Sequence, residues 1–177
     1  MKQTLIFFSA LILIACGNNF KEEIKQVKEL ENTLLETEKE FLTMEINKIS
    51  EAKEKYTENI AVFKQKYIPD TVDQKLANDL DGYKYIKKSS SMVMSNYSKL
   101  TESIDLCKKQ LSDLISDMEH DALTKEDVVK YMEQERFRTS ETVNMIKETK
   151  KMYDEIIKIN DSLGPKIDKV VDSLRKL

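Results

Sequence analysis

The sequence is poor in the residues that build turns, sheets and catalytic centres. Its 177 residues include three Gly, two Pro, one His, two Cys and no Trp. A single histidine excludes metal sites that need paired histidines, and three scattered glycines cannot form a phosphate-binding loop. Scarce Gly and Pro together with 34% charged residues are typical of long helices.

Charge of one sign is also lacking. The chain carries 29 Lys and Arg against 32 Asp and Glu, a net charge of −3, and both signs are mixed along its length. This distribution lacks the clustered basic patch expected of a nucleic-acid binder. The sequence also offers no nucleophile with a neighbouring base and no convergent group of acids. We therefore expect no catalysis, no cofactor, no bound metal and no nucleic-acid partner.

One uncharged apolar run stands at the start of the chain. It follows the single positive charge of Lys2, spans about ten residues, and ends at Ala15 and Cys16. A helix needs roughly 20 apolar residues to cross a bilayer, whereas about ten suit the apolar core of a secretory signal. The run therefore predicts a signal peptide.

The last four residues of this run, Leu13-Ile14-Ala15-Cys16, resemble the lipobox of bacterial lipoprotein precursors. The resemblance implies that residues 1–15 are a signal peptide cleaved after Ala15, and that Cys16 receives the lipid. Residues 16–19 would be the lipidated Cys and a short tether. It also implies a location in the bacterial cell envelope, which we expect to be the outer membrane. In the lipoproteins that this sequence resembles, the absence of an acid directly after the Cys favours the periplasm-facing leaflet over surface display. The alternative is an ordinary buried thiol at the end of a signal or an N-terminal anchor.

Apolar residues after the tether recur every three or four positions, which predicts amphipathic helices in three segments. In the first segment, a heptad stripe is expected to bury Leu35, Leu42, Ile49, Tyr56 and Phe63. The second stripe consists of Val72, Leu76, Leu80, Tyr83, Ile86, Ser90, Val93, Tyr97, Leu100, Ile104, Cys107, Leu111, Leu114 and Met118. The third stripe is more polar and consists of Val128, Met132, Glu135, Thr139, Val143, Ile146, Lys150, Tyr153, Ile157, Asn160 and Leu163.

Two short connections separate these segments. In "YIPDT", residues 67–71, Asp70 or Thr71 can cap the second helix, because their side-chain oxygens accept hydrogen bonds from free amides. Thr124 with Asp127 three residues later predicts a capping box at the start of the third helix.

The apolar phase continues across Gly164-Pro165, which favours one kinked third helix over a separate short fourth helix. Three segments of similar length with short connections predict an all-α fold, an elongated and antiparallel three-helix bundle resembling a coiled coil. Residues 20–177 would form its single domain.

Counting from the connections places Tyr56, Gly82 with Tyr83, and Gly164 with Pro165 at one level of this bundle. The layer is either a filled part of the core or a hinge or small-ligand site. His120, between Glu119 and Asp121, offers an alternative weak metal site, although a His at the end of a helix is also favourable against the helix dipole.

Further positions are candidates for contacts with other molecules. Cys107 lies on the second stripe and is expected to be a buried thiol, with an intermolecular disulfide as the alternative. Phe137, together with a second apolar row in the first segment, indicates either a wide core or a self-association face. That row consists of Leu34, Phe41 and Met44. The stretch "DGYKYIKK" is either a solvated face or a partner-binding surface. Its candidate residues are Tyr83, Tyr85, Lys87 and Lys88.

The whole chain is similar to small helical lipoproteins of Bacteroidota in the lipobox and in the stretch from Gln110 to Glu135. This resemblance implies location and fold, and it attaches no functional residue beyond Cys16. We therefore expect a membrane-tethered envelope protein that acts as a helical spacer or as a module for binding an envelope protein, the cell wall or another copy of itself. The alternative is a lipoprotein that binds a small ligand or metal at the Gly82/Gly164 layer or at His120.

Overall fold

The computed structural model describes residues 20–68 and 73–176, and within these ranges the chain is all-α, without a β-strand. The predicted all-α class is therefore confirmed. The helices are α1 (Lys21–Leu42), α2 (Ile46–Lys66), α3 (Gln74–Glu119) and α4 (Lys125–Arg175).

Both α1 and α2 pack against α3 and α4, and α3 packs against α4. The chain directions follow from contacts near the helix ends. Lys28 near the start of α1 pairs with Glu119 at the end of α3, with 3.5 Å between Nζ and Oε1. Lys66 at the end of α2 donates to the backbone carbonyl of Arg175 at the end of α4, at 3.3 Å. Helix α3 therefore runs opposite to α1, whereas α2 runs in the direction of α4.

The first segment is interrupted between α1 and α2, at Thr43 to Glu45. The buried positions before the break recur every seven residues as Val27, Leu34 and Phe41, and those after it as Ile49, Tyr56 and Phe63. The step from residue 41 to residue 49 is eight residues instead of seven. In a continuous helix one extra residue would turn the following side chains by about 100° away from the buried face. The break between α1 and α2 removes this shift, so the buried positions of both helices face the core.

This break makes the expected heptad stripe wrong in its first half. Leu42 is 68% exposed, whereas Leu34, Phe41 and Met44 lie in the core. The second apolar row of the first segment, Leu34, Phe41 and Met44, is therefore part of the core and not a self-association face. At the break, the Glu45 backbone N–H donates to the Tyr153 hydroxyl at 3.2 Å, so α4 provides a hydrogen bond that a continuous helix would have supplied.

The turn between α3 and α4 is built from side-chain and backbone caps. Thr124 and Asp127 form the predicted capping box, in which each side chain accepts from the other residue's backbone N–H. Asp121 has φ of 50°, and the Ala122 N–H donates to the Asp117 carbonyl at 2.9 Å, as in a Schellman motif. At the other connection α3 is capped by Asp73, whereas the predicted caps Asp70 and Thr71 lie outside the described residues.

Replacing Thr124 by Ala removes the hydroxyl that accepts from the Asp127 N–H. We expect Thr124→Ala to lower the free energy of unfolding by about 1 kcal/mol, measured by urea denaturation. Thr124→Ser keeps an acceptor oxygen and should lie close to the wild type. Equal stability of the Ala and Ser variants would contradict a contribution from this cap.

Helix α4 continues through Gly164 and Pro165 to Arg175, so no separate helix begins there. Gly164 is buried and Pro165 is exposed. The missing amide of the Pro therefore lies on the solvent side of the helix, where water can bind the carbonyl that it leaves free.

Buried apolar residues form two clusters along the helices. One cluster contains Phe20, Val27, Leu34, Cys107 and Val143. The other cluster is larger and consists of Phe41, Met44, Ile49, Ala52, Tyr56, Phe63, Tyr83, Ile86, Val93, Leu100, Ile104, Ile146, Tyr153, Ile156, Ile167, Val171 and Leu174. Between Leu34 and Phe41 the buried residue of α1 is Thr37, so a polar position lies where the two clusters meet.

Candidate interaction groove between α3 and α4

A groove with a volume of about 670 Å³ lies between α3 and α4. It is close to the place where the two clusters meet, and Cys107 is one of its lining residues. We call it the α3/α4 groove. Buried Leu100, Cys107 and Thr142 contribute to its lining. The remaining lining residues are Asn96, Ser103, Leu106, Gln110, Arg138, Glu141, Asn144, Met145 and Glu148.

The spacing of the lining residues explains why they face the groove. Asn96, Ser103 and Gln110 recur every seven residues on α3, beside the core positions Leu100 and Cys107. Residues seven apart lie on the same face of a helix. The groove is therefore a polar flank of the helix next to its apolar core stripe.

Small polar side chains connect the two helices along the groove. The Asn96 side-chain amide donates to the Thr149 hydroxyl at 3.1 Å. The Cys107 thiol and the Thr142 hydroxyl are 3.5 Å apart, and either group can donate. With 4% of its surface exposed, Cys107 is the buried thiol that the sequence predicts.

Apolar side chains also reach the solvent in this groove. Leu106 is 54% exposed and Met145 is 36% exposed, and both line the groove. Phe137 is 63% exposed but is not among the lining residues. The groove therefore combines two exposed apolar side chains with surrounding polar ones, as surfaces that contact other proteins do.

One end of the groove borders a buried carboxylate. Glu135 is 6% exposed, and its Oε1 accepts from Arg138 at 3.2 Å. Burial raises the pKa of this carboxyl group above its ordinary value, and the positive charge of Arg138 partly opposes the shift. Three buried side-chain atoms near this end have no hydrogen-bond partner among the described residues. They are Glu135 Oε2, Thr139 Oγ1 and Gln110 Oε1.

The residues proposed for partner binding in "DGYKYIKK" do not share one surface. Tyr83 is fully buried, and burial raises the pKa of its hydroxyl group. Tyr85 packs, partly buried, against the larger cluster, whereas Lys87 and Lys88 are exposed. Ala15 and Cys16, the predicted cleavage and lipid-attachment residues, lie outside the described residues.

Side chains of α4 lie close to both glycines of the Gly82/Gly164 layer. A Cβ atom at Gly82 would lie 3.2 Å from Leu163 Cδ1, and one at Gly164 would lie 3.5 Å from Asn160 Oδ1. The rings of Tyr56 and Tyr83 have their centroids 5.2 Å apart. Gly164 is buried and Gly82 is exposed, so this layer reaches from the core to the surface, with the Leu163 side chain close to Gly82.

His120 caps the end of α3 and is exposed. Its Nδ1 lies 2.7 Å from the Ser116 carbonyl oxygen. Because a carbonyl oxygen can only accept, a hydrogen bond at this distance requires the proton on Nδ1. In the described ranges no three His, Cys, Asp or Glu residues are placed to hold a metal ion together.

The groove was not predicted as a site from the sequence, although two of its lining residues, Leu100 and Cys107, belong to the predicted stripe of α3. Polar residues beside a core stripe occur on every amphipathic helix, so their spacing alone does not distinguish a groove from an ordinary solvated face. The signal that was present is the pair of apolar residues off the two stripes, Leu106 on α3 and Met145 on α4.

None of the helices in the described part of the chain combines the length and apolar character needed to cross a membrane. Comparison of the chain with protein-family models, with curated proteins and with solved structures gives no match.

Proposed function

We propose that this chain is a lipid-anchored helical module of the bacterial cell envelope that binds a protein or cell-wall partner through the α3/α4 groove and has no catalytic role. The observation that carries the proposal is the groove itself, where Leu106 and Met145 are exposed among amide, hydroxyl and charged side chains. The lipid anchor is inferred from the resemblance of Leu13 to Cys16 to a lipobox.

In this proposal the four helices act as an elongated, antiparallel three-helix bundle, in which α1 and α2 together form one of three rods. The contacts of Lys28 with Glu119 and of Lys66 with Arg175 support it, because they join the expected ends. A helix of the length of α4 spans roughly 75 Å at 1.5 Å per residue. Such a rod also suits a spacer that holds a partner away from the membrane.

The anchor would lie at the end of the bundle where α1 begins. Since Lys28 of α1 contacts Glu119 at the end of α3, the turn between α3 and α4 would also lie close to the bilayer. Two or three acyl chains on Cys16 would hold the chain stably, because each buried methylene contributes about 0.8 kcal/mol.

Intact-mass measurement of membrane-extracted protein tests the anchor. We expect the wild type to lack residues 1–15 and to carry acyl mass, and Cys16→Ala to keep the leader without acyl mass. Cys107→Ala is the matched control and should be processed like the wild type. An unmodified Cys16 in the wild type would remove the anchor and the envelope location from the proposal.

Crosslinking in cells tests the groove. We expect Leu106→Lys and Met145→Lys to lose most of the crosslinked neighbours of the wild type, because each variant places a charge among the exposed apolar groups of the groove. Leu42→Lys changes a leucine that is 68% exposed on α1 and should keep them. Neighbours that are unchanged in both groove variants would show that partners bind elsewhere.

A further inference from the structure

The first part of α1 is attached to the rest of the bundle by a narrow row of side chains. We call this part, residues 20–36, the α1 strap. Its buried apolar residues recur once every seven positions, as Phe20, Val27 and Leu34. On α2 the buried residues recur every three or four positions, as Ile49, Ala52, Tyr56, Asn59 and Phe63. The α1 strap therefore buries fewer apolar side chains completely per turn, so the hydrophobic effect holds it less strongly.

Polar contacts hold the α1 strap only at the surface. The Lys28 ammonium lies 3.5 Å from a Glu119 carboxylate oxygen, and both side chains are about half exposed. Arg136 donates to the Gln26 side-chain oxygen at 3.2 Å, again between exposed groups. Within the described ranges no other side-chain hydrogen bond or ion pair joins the strap to another helix. Phe20 provides no side-chain cap for the start of α1. Since exposed ion pairs contribute little to stability, these contacts do not replace the missing apolar burial.

The end of α1 is held differently from the strap. The Phe41 ring stacks on the ring of Tyr97, with 4.6 Å between their centroids. Phe41 and Met44 belong to the larger cluster, whereas the buried residues of the strap belong to the smaller one. Helix α1 therefore passes from one cluster to the other at Thr37, and release of the strap would stop there.

The surface beneath the α1 strap contains polar groups without partners. Glu135 and Thr139 of α4 are 6% and 1% exposed, and Glu135 Oε2 and Thr139 Oγ1 accept or donate no hydrogen bond among the described residues. They lie on α4 between Met132 and Val143, which share the smaller cluster with Val27. The residue after Glu135 donates to the strap. Burying a polar group without a partner costs free energy that water returns, so these groups favour a state in which the strap has left.

We propose that the α1 strap opens from α3 and α4 as a unit while the rest of the bundle stays folded, and that the unpaired groups of Glu135 and Thr139 favour this opening. Segments with few buried contacts open at lower free energy than the whole protein unfolds. The opened state uncovers apolar side chains of the smaller cluster, among them Leu111, Leu114 and Met132. This inference goes beyond the proposed function and depends on neither the groove nor the lipid anchor.

In an anchored chain the open strap would lengthen the tether between Cys16 and the bundle. The distance from residue 20 to residue 37 is roughly 25 Å in a helix and up to about 60 Å in an extended chain. Opening would therefore let the bundle reach farther from the bilayer without losing its anchor.

Thiol labelling of buried cysteines tests the opening. Val27 on the strap and Val93 in the larger cluster are both fully buried, so Val27→Cys and Val93→Cys form a matched pair in a Cys107→Ala background. The full chain, extracted in mild detergent, reacts with an excess of an aromatic disulfide, and peptide mass mapping measures the label at each position. We expect residue 27 to be labelled at least about tenfold faster than residue 93. A smaller difference would overturn the proposal.

Hydrogen exchange of the wild type shows what opens together with the strap. We expect the amides of residues 24–36 to exchange at least about tenfold faster than those of residues 111–118 and 130–142, because α3 and α4 stay helical when the strap leaves. Equal exchange in all three segments would mean that this end of the bundle unfolds as a whole, and the strap would not be the unit of opening.

Glu135→Met tests the polar groups beneath the strap. In the Val27→Cys, Cys107→Ala chain we expect Glu135→Met to slow the labelling of residue 27 at least about fivefold, because the closed state no longer buries an unpaired carboxylate oxygen. Glu133→Met changes an exposed residue and should leave the rate unchanged. Circular dichroism of every variant checks that the helices are intact. An unchanged rate in Glu135→Met would contradict the contribution of the Glu135 carboxylate to the opening.

Discussion

Leu34→Ala is expected to lower the free energy of unfolding by about 2–5 kcal/mol, whereas Leu42→Ala on the same helix changes it by less than about 1 kcal/mol. Leu34 is fully buried and Leu42 is 68% exposed. The first substitution removes buried methyl groups and leaves a cavity, and the second removes groups that already contact water. Urea denaturation of both variants measures the difference.

This pair of variants tests the break between α1 and α2. A continuous heptad stripe through Leu42 and Ile49 would bury Leu42 and reverse the order of the two effects. Ile49→Ala, after the break, should resemble Leu34→Ala, since Ile49 is fully buried. A Leu42→Ala variant less stable than Leu34→Ala would contradict the position of the break.

Glu135→Met is expected to raise the free energy of unfolding at pH 7 by about 1–3 kcal/mol. The wild-type carboxylate is 6% exposed, and no described residue hydrogen-bonds to its Oε2. Methionine fills a similar volume without a polar atom, and Arg138, whose side chain is 48% exposed, remains solvated when its partner is removed. Thermal or urea unfolding of the variant measures the gain.

The gain from Glu135→Met should depend on pH. Burial raises the pKa of the Glu135 carboxyl group in the folded protein, so the folded state binds a proton more readily than the unfolded state. The stability contributed by this group is therefore fully present below the pKa of the unfolded chain, about 4.3, and is lost as the pH rises through the folded pKa. We expect the advantage of the Met variant to be smaller at pH 4 than at pH 7.

Glu133→Met provides the control for this pH dependence. Glu133 lies two residues earlier on α4 and is exposed. Its replacement should change stability by less than about 0.5 kcal/mol, with little variation between pH 4 and pH 7. An equal gain from both substitutions, or a gain for Glu135→Met that falls as the pH rises, would show that burial of the Glu135 carboxylate is not the cause.

The stripe of α3 was predictable because it obeys local rules over many turns. From Tyr83 to Met118 the stripe predicts Ile86, Val93, Leu100 and Leu111 as core, and all are buried. The capping box of Thr124 and Asp127 was predictable for the same reason, since a cap involves residues three apart. On α4 the predicted stripe is buried from Val128 to Ile146 and at Tyr153. Between them Lys150 is only partly buried, whereas Thr149 beside it is fully buried. After Tyr153, Ile156 is buried and Ile157 only partly.

The α3/α4 groove was not predictable in the same way. It depends on the distance between two helices and on the positions of Asn96, Cys107, Thr142 and Thr149 across that gap. No single helix carries this information. In "DGYKYIKK" the stripe already places Tyr83 on the buried face, whereas its contact with Tyr56 depends on how α2 and α3 are aligned.

The sequence by itself determined the all-α class, the buried faces of α2 and α3 and the turn between α3 and α4, because periodicity, composition and caps act over a few residues. It did not determine the break between α1 and α2. Only the tertiary structure decided which row of α1 enters the core, that Gly82 is packed by Leu163, and that α3 and α4 leave a groove open between them. The physical reason is that several apolar rows on one helix can satisfy the same pattern, and contact with the neighbouring helices selects the row that buries the largest apolar area.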